Sequence, residues 1–457
     1  MDELAKYIVK RAQKLGADDV VATVVDNTVR QVRFANNDIT LNTTWDTINV
    51  EVFLSYKKRL ISSSLNNPSQ SETFSSVSIN KNITKEKVDQ FLKRMLKMAK
   101  MMKPKTDYYG IADGKFNYGR FKDFYDKRIV NINEKNVDFV KDAIDAAVSE
   151  GAKRCAGVLY SSVFNESKHT SNGIDVKEKG TSINISLRAF KEKDESGHSV
   201  SVSRIMKGFD PKKAGSEAGR LAADYSKPVQ GVDGNYDVIF GPMIMANLLY
   251  YMSYAFSAFE VDSGESFLIN KIGKKVANDN VTLYDDARLP NGFGSTLFDE
   301  EGRPTSTLKL IDKGMLKTYL HNTSTAKKFG AKPTGNAGIV YPSYWNLVLE
   351  KGNSNLNEMI SEVKNGIYIT NTWYTRFRDY LAGDFSTIPR DAMFEIKNGK
   401  ISQPVKGLRL SDNMKHILES VHMISKERRH IDWWEVEKPV TTGWVLCKDI
   451  KLTRSNK

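Results

Sequence analysis

Apolar positions at the start of the chain fall at helical spacing. Leu4, Ile8, Ala12 and Leu15 share one face and Gly16 follows them, which predicts a helix over residues 2–15. The period then changes to that of strands. β-Branched runs at 20–25, 29–34, 39–42 and 48–54 read as four strands, with Asn36-Asn37-Asp38 as a turn. Thr84 stands where it can cap a helix from Lys85 to Lys103, whose Val88, Phe91, Leu92, Met95, Ala99 and Met102 form one apolar stripe before Pro104 ends it.

The same order of elements then returns. A helix from Asn136 to Glu150 stops at Gly151, strands are expected at 158–164, 174–176, 183–187 and 200–202, and a helix runs from Pro211 to Tyr225. Sliding the chain by 135 residues sets Asn37 on Asn172, Ile39 on Ile174, Leu41 on Val176, Ile48 on Ile183, Val50 on Ile185 and Val52 on Leu187 without a gap. The expectation is a duplicated helix, antiparallel-sheet, helix unit, about 1–104 and 136–226, within an N-terminal domain of residues 1–228.

The Pro/Gly-bearing segment from Lys227 to Gly234 marks a boundary, and a second domain is expected over 235–457. It opens with a strand at Val238-Ile239-Phe240 and a helix from Pro242 to about Phe259, a proline being tolerated in a first helical turn. Tight turns at Asp312-Lys313-Gly314, between strands 308–311 and 315–320, and at Lys397-Asn398-Gly399-Lys400, between Phe394-Ile396 and Ile401, predict hairpins beyond it. Helices and antiparallel strands in both halves give an α+β class.

Composition narrows the function classes. A chain of 457 residues exceeds the usual size of one core, and 40% apolar with 27% charged residues excludes wholesale disorder, collagen and a disulfide scaffold. Cys155 and Cys447 both sit among apolar residues and read as buried thiols in a reducing cytoplasm. No leader-like apolar region follows Met1 and no run long enough to span a bilayer occurs, so a cytoplasmic location is expected. The net charge of +13 would attract polyanions, but the lysines are spread along the whole chain, and a solvated basic surface is the simpler reading.

No familiar catalytic motif is complete in the sequence. A zinc-peptidase helix needs two histidines one turn apart and a glutamate beside the first; His169, His198, His321, His416, His422 and His430 offer no such pair. His416 and His422 are placed on a helix from Asp412 to Ile424 as structural or surface histidines. The segment from Gly330 to Ala337 has the glycine spacing of a P-loop without its Lys-Ser/Thr pair, and Gly292-Phe293-Gly294-Ser295 reads as a flexible turn. The pairs Asp285-Asp286 and Glu300-Glu301, the latter after Asp299, could hold a cation or act as acid and base, although charged strand ends and turns explain them more simply.

One resemblance is specific. Ser263-Gly264-Glu265-Ser266-Phe267-Leu268, Lys271-Ile272-Gly273, Val281-Thr282-Leu283-Tyr284-Asp285-Asp286, Phe298-Asp299-Glu300-Glu301-Gly302-Arg303-Pro304-Thr305, the run from Ile311 to Leu320, and Thr334-Gly335-Asn336-Ala337 resemble, in order, the TldD/PmbA family, also called modulator of DNA gyrase. Gly383-Asp384-Phe385-Ser386 and Asn398-Gly399-Lys400-Ile401 with Pro404-Val405 look like the same family's C-terminal signature, and the likeness is sharpest from about 235 to 410. The signature positions are Asp285, Asp286, Asp299, Glu300, Gly302, Gly335, Asn336, Gly383, Asp384 and Ser386.

This resemblance implies a two-domain cytoplasmic subunit of a TldD–TldE (PmbA) pair that degrades small or unfolded peptides and processes peptide precursors. In TldD the zinc helix carries His-Glu-x-x-x-His; the corresponding stretch here, Met243 to Tyr254, has neither residue type. The family's third ligand is a cysteine ahead of the last strand, whereas Cys447 falls within that strand and is assigned to the core. The resemblance therefore implies the TldE/PmbA type, with no catalytic or metal residue in this chain and zinc expected in a TldD-like partner. That partnership would be a hetero-oligomer, with a homodimer also open, and an extended peptide could add to an exposed sheet edge. Two other readings stay open: an autonomous metallopeptidase using His321 and the carboxylates near Asp285 and Asp299, and a nucleic-acid-binding regulator suggested by the basic balance and the gyrase label.

Overall fold

The computed structural model describes residues 1–65 and 83–454. After helix α1 (Asp2–Lys14), three strands follow, β1 (Val20–Ala35), β2 (Asp38–Tyr56) and β3 (Arg59–Leu65), and then α2 (Lys85–Met101), which Thr84 caps through its side chain to the Lys87 amide. A one-turn helix α3 (Lys127–Val130) leads to α4 (Lys135–Ser149), strands β4 (Arg154–Thr170), β5 (Asp175–Glu192) and β6 (Glu195–Ser203), and α5 (Pro211–Asp224). The strands make one antiparallel sheet in the order β3-β2-β1-β4-β5-β6, so β1 and β4 join its two halves. One core gathers Ile8, Val20, Val52 and Leu92 under α1 and α2; the other gathers Val140, Leu159, Ile185 and Ala218 under α4 and α5.

The strands are fewer and longer than the apolar runs predict. Asp26-Asn27-Thr28 reads as a break between two strands, yet all three continue β1, paired with Ile48-Thr47-Asp46 on one side and Asn165-Phe164-Val163 on the other. A ladder on both flanks satisfies the backbone of polar residues, so local polarity does not end the strand. The segments 39–42 and 48–54 likewise merge into β2, and 183–187 continues β5. Asn37 and Asn172 occupy the turns β1–β2 and β4–β5; Ile39, Leu41 and Ile48 lie on β2, Val176 and Ile183 on β5, and Ile174 just ahead of β5.

The remainder of the chain comprises β7 (Val229–Gln230), β8 (Gly234–Phe240), α6 (Pro242–Met252), α7 (Ala258–Ser263), β9 (Leu283–Asp286), β10 (Thr307–Asp312), β11 (Met315–Leu316), α8 (Thr323–Phe329), β12 (Leu347–Leu349) and α9 (Leu356–Glu362). It ends with β13 (Asn365–Asp379), β14 (Asp384–Lys397), β15 (Lys400–Lys406), β16 (Leu408–Asn413), α10 (Met414–Glu419), β17 (Val421–Ile424), β18 (Arg429–Trp433), β19 (Val436–Thr442) and β20 (Val445–Arg454). One sheet runs β11-β10-β9-β12-β19-β18. The other runs β13-β8-β20-β16-β14-β15-β7, and pairing of β13 with β14 closes five of its strands into a circuit. Both share a single large core with α6.

Three expectations change here. The helix from Pro242 stops at Met252 instead of Phe259, because the chain turns to lay Ser257 beside Leu320, the Leu320 amide donating to the Phe256 carbonyl and the Ala258 amide to the Leu320 carbonyl. The strand expected over 315–320 is two residues long. The helix expected from Asp412 to Ile424 covers only α10, so His416 is helical but His422 lies on β17, where Val421 and Ile424 pair with the last strand. Both cysteines are buried and free, Cys447 within β20. Among the described residues no helix is long and apolar enough to cross a membrane.

Candidate functional site

Helix α6 begins with Gly241 in an extended conformation and Pro242 in the first turn, and its residues 242–249 are apolar almost throughout and wholly buried. The exception is Asn247. Its Nδ2 donates to the Glu435 carbonyl at 2.9 Å and its Oδ1 accepts from the Thr375 hydroxyl, which ties α6 to β13 and to the β18–β19 turn. The last turn then emerges from the core and brings Tyr250, Tyr251 and, in the following 3-10 turn, Tyr254 to the surface.

These three rings wall a cleft of about 430 Å³ with Tyr341, Tyr344, Phe377 and Tyr380. Tyr254 meets Phe377 and Tyr380 edge-on at centroid separations of 4.9 and 5.0 Å, and its hydroxyl donates to the Tyr380 carbonyl at 2.6 Å. Arg376 donates to the Tyr251 hydroxyl at 3.1 Å. Burial pushes the Tyr250 phenol up to about 12 and raises those of Tyr254 and Tyr344 as well, so the hydroxyls stay protonated at neutral pH and serve as hydrogen-bonding groups. Glu260, Glu437 and Lys438 supply the cleft's charges.

Zinc does not fit this donor set. Among the described residues no histidine or cysteine lines the cleft, and Lys438 places an ammonium in it, donating to Ser343 Oγ at 2.7 Å and to the Tyr344 carbonyl at 3.0 Å. Asp285, Asp299 and His321 do not assemble a metal site either. His321 is buried beside Thr325, with its imidazole pushed down to about 4 by desolvation. Among the described residues the one group of three convergent His, Cys, Asp or Glu side chains is Asp2, His169 and Asp175, where Lys6 and Lys177 contact Asp2 at 2.7 and 3.0 Å.

Of the signature carboxylates, Asp285 and Asp299 are buried, whereas Asp286, Glu300 and Asp384 are half-buried at strand ends or in a turn, as the simpler reading expects. Asp285 is fully buried on β9 and accepts from the amides of Trp345 and Asn346 at 2.8 and 3.1 Å and from the Asn336 side chain, while Asn336 also donates to the Ser343 carbonyl. This fastens the loop that carries Tyr341 and Tyr344 into the cleft. Asp286 accepts from the Arg288 amide and the Thr307 hydroxyl, and Asp299 accepts from the amides of Glu301, Arg303 and Ala337. Glu300 takes a 2.7 Å bond from Lys168, a buried residue of β4 that also contacts Glu166, and Gly302 accepts at its carbonyl from Tyr118; these bonds join the first half of the chain to the second.

Gly335 and Gly383 have backbone reasons for being glycine. Gly335 has φ +77° and a Cβ there would lie 2.5 Å from the Pro304 carbonyl oxygen; Gly383 has φ +85° and its Cβ would press on the Phe267 ring at 3.1 Å. Asp384 accepts from Asn413, and Ser386 contacts Ser411 and accepts from Arg409, which fixes the β13–β14 turn and with it Phe377 and Tyr380. Asp285 and Asn336 thus fasten one wall of the cleft and Asp384 and Ser386 another, while tyrosines that no motif marks supply its surface. Three tyrosines within the last turns of the helix were the visible signal in the sequence; Tyr341, Tyr344, Phe377 and Tyr380 join them only through the fold.

Residues 233–454 match the family model of the PmbA/TldA metallopeptidase C-terminal domain, and residues 127–224 match that of the central domain. The chain belongs to the PmbA/TldD family. It is 29% identical to a metalloprotease of Methanothermobacter thermautotrophicus over 49% of this chain and 50% of that protein, and 24% identical to the metalloprotease PmbA of Escherichia coli O157:H7 over 56% and 55%. The matched segment therefore spans about half the length of these relatives. The fold is similar to that of TldE from Thermococcus kodakarensis, with TM-score 0.83, 20% identity and coverage of 98% and 99% of the two chains. A Thermotoga maritima protein named as a modulator of DNA gyrase also has TM-score 0.83, at 22% identity and 99% coverage of both chains.

Proposed function

We propose that this chain is the non-catalytic, TldE-type subunit of a TldD/TldE metallopeptidase pair, completing the chamber of a zinc-bearing partner and helping to present small unfolded peptides to it. The observation that carries this reading is the end of α6, which gives the cleft Tyr250, Tyr251 and Tyr254 and no side chain suited to zinc. Aromatic rings with hydroxyl tips can hold varied peptide side chains and still hydrogen-bond a backbone, which suits a surface of low sequence preference. Around the cleft, Val340, Tyr341, Tyr374, Tyr380 and Leu381 are 48 to 64% exposed, an apolar rim of the kind a partner subunit covers. Two chains of similar fold would meet about an approximate two-fold axis and bury well over ~1,000 Å².

Purified alone without a metal-binding tag, the protein should contain no stoichiometric zinc and leave unfolded peptides uncut. Mixed with a TldD-like partner, it should raise cleavage above that of the partner alone, and replacement of the partner's zinc-helix glutamate by glutamine should abolish cleavage by the pair. Tight zinc at one per chain with chelator-sensitive proteolysis, or cleavage that survives the partner's substitution, would refute the proposal. The second result would place an active site on this chain, and the regions of His321, Asp285 and Asp299 would then be the first to mutate.

A further inference from the structure

A second cavity lies on the face of the long sheet, away from the helices. Where β1, β4 and β5 run side by side, the facing residues are small: Ala35, Ala156, Val158 and Ser186. Their short side chains leave a trough of about 510 Å³, walled at one end by Arg33 and Leu41 and at the other by Arg188, His198 and Trp434. Trp434, in the β18–β19 turn, is 55% exposed and braced edge-on by Trp373 at 5.7 Å.

The charge around this trough is one-sided. Among the described residues no carboxylate lines it. Arg188 lies against Asp391, with Nε 2.9 Å from Oδ1 and Nη2 donating to Oδ2 at 3.3 Å, which leaves its Nη1 edge without a protein partner among the described residues. Arg390 stacks on Trp373 at 4.0 Å and Arg154 on Phe190 at 4.1 Å, and neither these two nor Arg33 has a carboxylate partner among the described residues. Arg33 and Arg188 thus line the trough, with Arg154 and Arg390 on aromatic rings beside it and Asp391 bonded to Arg188.

The floor adds a directed donor. Fully buried Asn371 donates through Nδ2 both to Asp391 at 2.9 Å and to His198 Nδ1 at 3.0 Å, and burial pushes that imidazole down to about 3. A neutral ring that accepts at Nδ1 carries its proton on Nε2, so His198 donates to Ser186 Oγ across their 2.8 Å contact. This tautomer, assigned from the hydrogen-bond network, disqualifies His198 as a base for Ser186 and leaves the serine's own hydrogen free to point into the trough.

We infer that the trough is a binding site for the free terminal carboxylate of a peptide, with Arg188 Nη1 and the Ser186 hydroxyl as donors, Arg33 as the long-range charge and the Trp434 indole as the platform for an apolar terminal side chain. The inference rests on the proposed role in peptide presentation and deepens it. From Trp434 an aromatic path leads through Trp373 and Tyr374, whose amide reaches Glu435, to Tyr251 in the cleft, so an anchored terminus would leave the upstream residues of the peptide directed at the tyrosines. A nucleic-acid groove would track the backbone with charges along its length, whereas the lining of this depression presents only two guanidinium groups, Arg33 and Arg188.

The test is direct binding to the isolated full chain, read by tryptophan fluorescence and calorimetry, which needs neither partner nor zinc. The probes are an unstructured decapeptide ending in leucine as free acid, the same peptide as its C-terminal amide, and an oligothymidylate. The acid should bind about tenfold or more tighter than the amide, the scale of one charge-assisted hydrogen bond. Arg33→Gln and Ser186→Ala should each weaken the acid several-fold while leaving the amide unchanged, and Trp434→Ala should remove most of the fluorescence response. Both Arg33 and Trp434 project from the surface, so these two variants test the site even if Arg188→Gln, which strands buried Asp391, fails to fold. Equal affinity for acid and amide, or displacement of the peptide by oligothymidylate at lower concentration, would overturn the inference. Because the partner-activation assay is separate, loss of acid preference with activation intact would remove this site alone.

Discussion

Replacement of Asp285 by alanine tests whether the signature carboxylates hold the cleft together. The side chain is fully buried and faces three donors, the Trp345 and Asn346 amides at 2.8 and 3.1 Å and the Asn336 side chain. Its removal orphans them in the interior, at about 1–3 kcal/mol for each unsatisfied donor, offset in part by the carboxylate desolvation that is no longer needed and by water entering the vacated space. A net loss of about 3 kcal/mol follows, which is roughly a hundredfold rise in the opening of that loop. Asp285→Asn keeps one acceptor for the two amides and turns its NH₂ toward Asn336, so it should cost about 1–2 kcal/mol. Native-state hydrogen exchange at the Trp345 and Asn346 amides reads this locally, and urea unfolding reads the global part. Exchange within threefold of wild type in the alanine variant, or equal effects of alanine and asparagine, would refute the assignment of Asp285 as the loop's fastening.

Stability should also fall as pH rises from about 6.5 to 8. Burial raises Glu178, Asp285 and Asp432 to about 7 and Glu301 to about 8, all above their unfolded values, so the folded state holds the extra protons and its advantage is lost as they leave. Below about 6.5 the buried imidazoles, with His321 and His430 at about 4, act in the opposite sense because the unfolded chain takes the protons, and urea midpoints across pH 5–8 would expose a profile of the wrong slope. Gly383→Ala should destabilise by about 1–3 kcal/mol, since φ +85° and the 3.1 Å approach to Phe267 both resist a Cβ; an unchanged melting temperature would contradict that account. Cys155 and Cys447 should resist a thiol reagent until the protein unfolds, because burial raises both thiols and keeps them shielded, and rapid labelling of the native protein would show otherwise.

The sequence by itself was enough for whatever depends on neighbours along the chain. The helix of Leu4, Ile8 and Ala12, the Thr84 cap, the start of α6 at Pro242 and the turn at Asn37 follow from periodicity and local backbone chemistry, and the ordered signature from Ser263 to Ala337 was enough to suggest the family. The tertiary structure decided where local rules gave way to pairing. Asp26-Asn27-Thr28 stays in a strand because two neighbours take its backbone bonds, and the helix from Pro242 ends early because Leu320 offers Ala258 a strand-like partner. It also decided what Asp285 and Asp299 are. As letters they could be cation ligands or acid and base, but only burial and three converging donors around each make them fasteners of loops. The tyrosine cleft and the arginine-rimmed trough collect residues from segments as distant as Arg33 and Trp434, and no pattern along a chain encodes which of its distant residues will face one another.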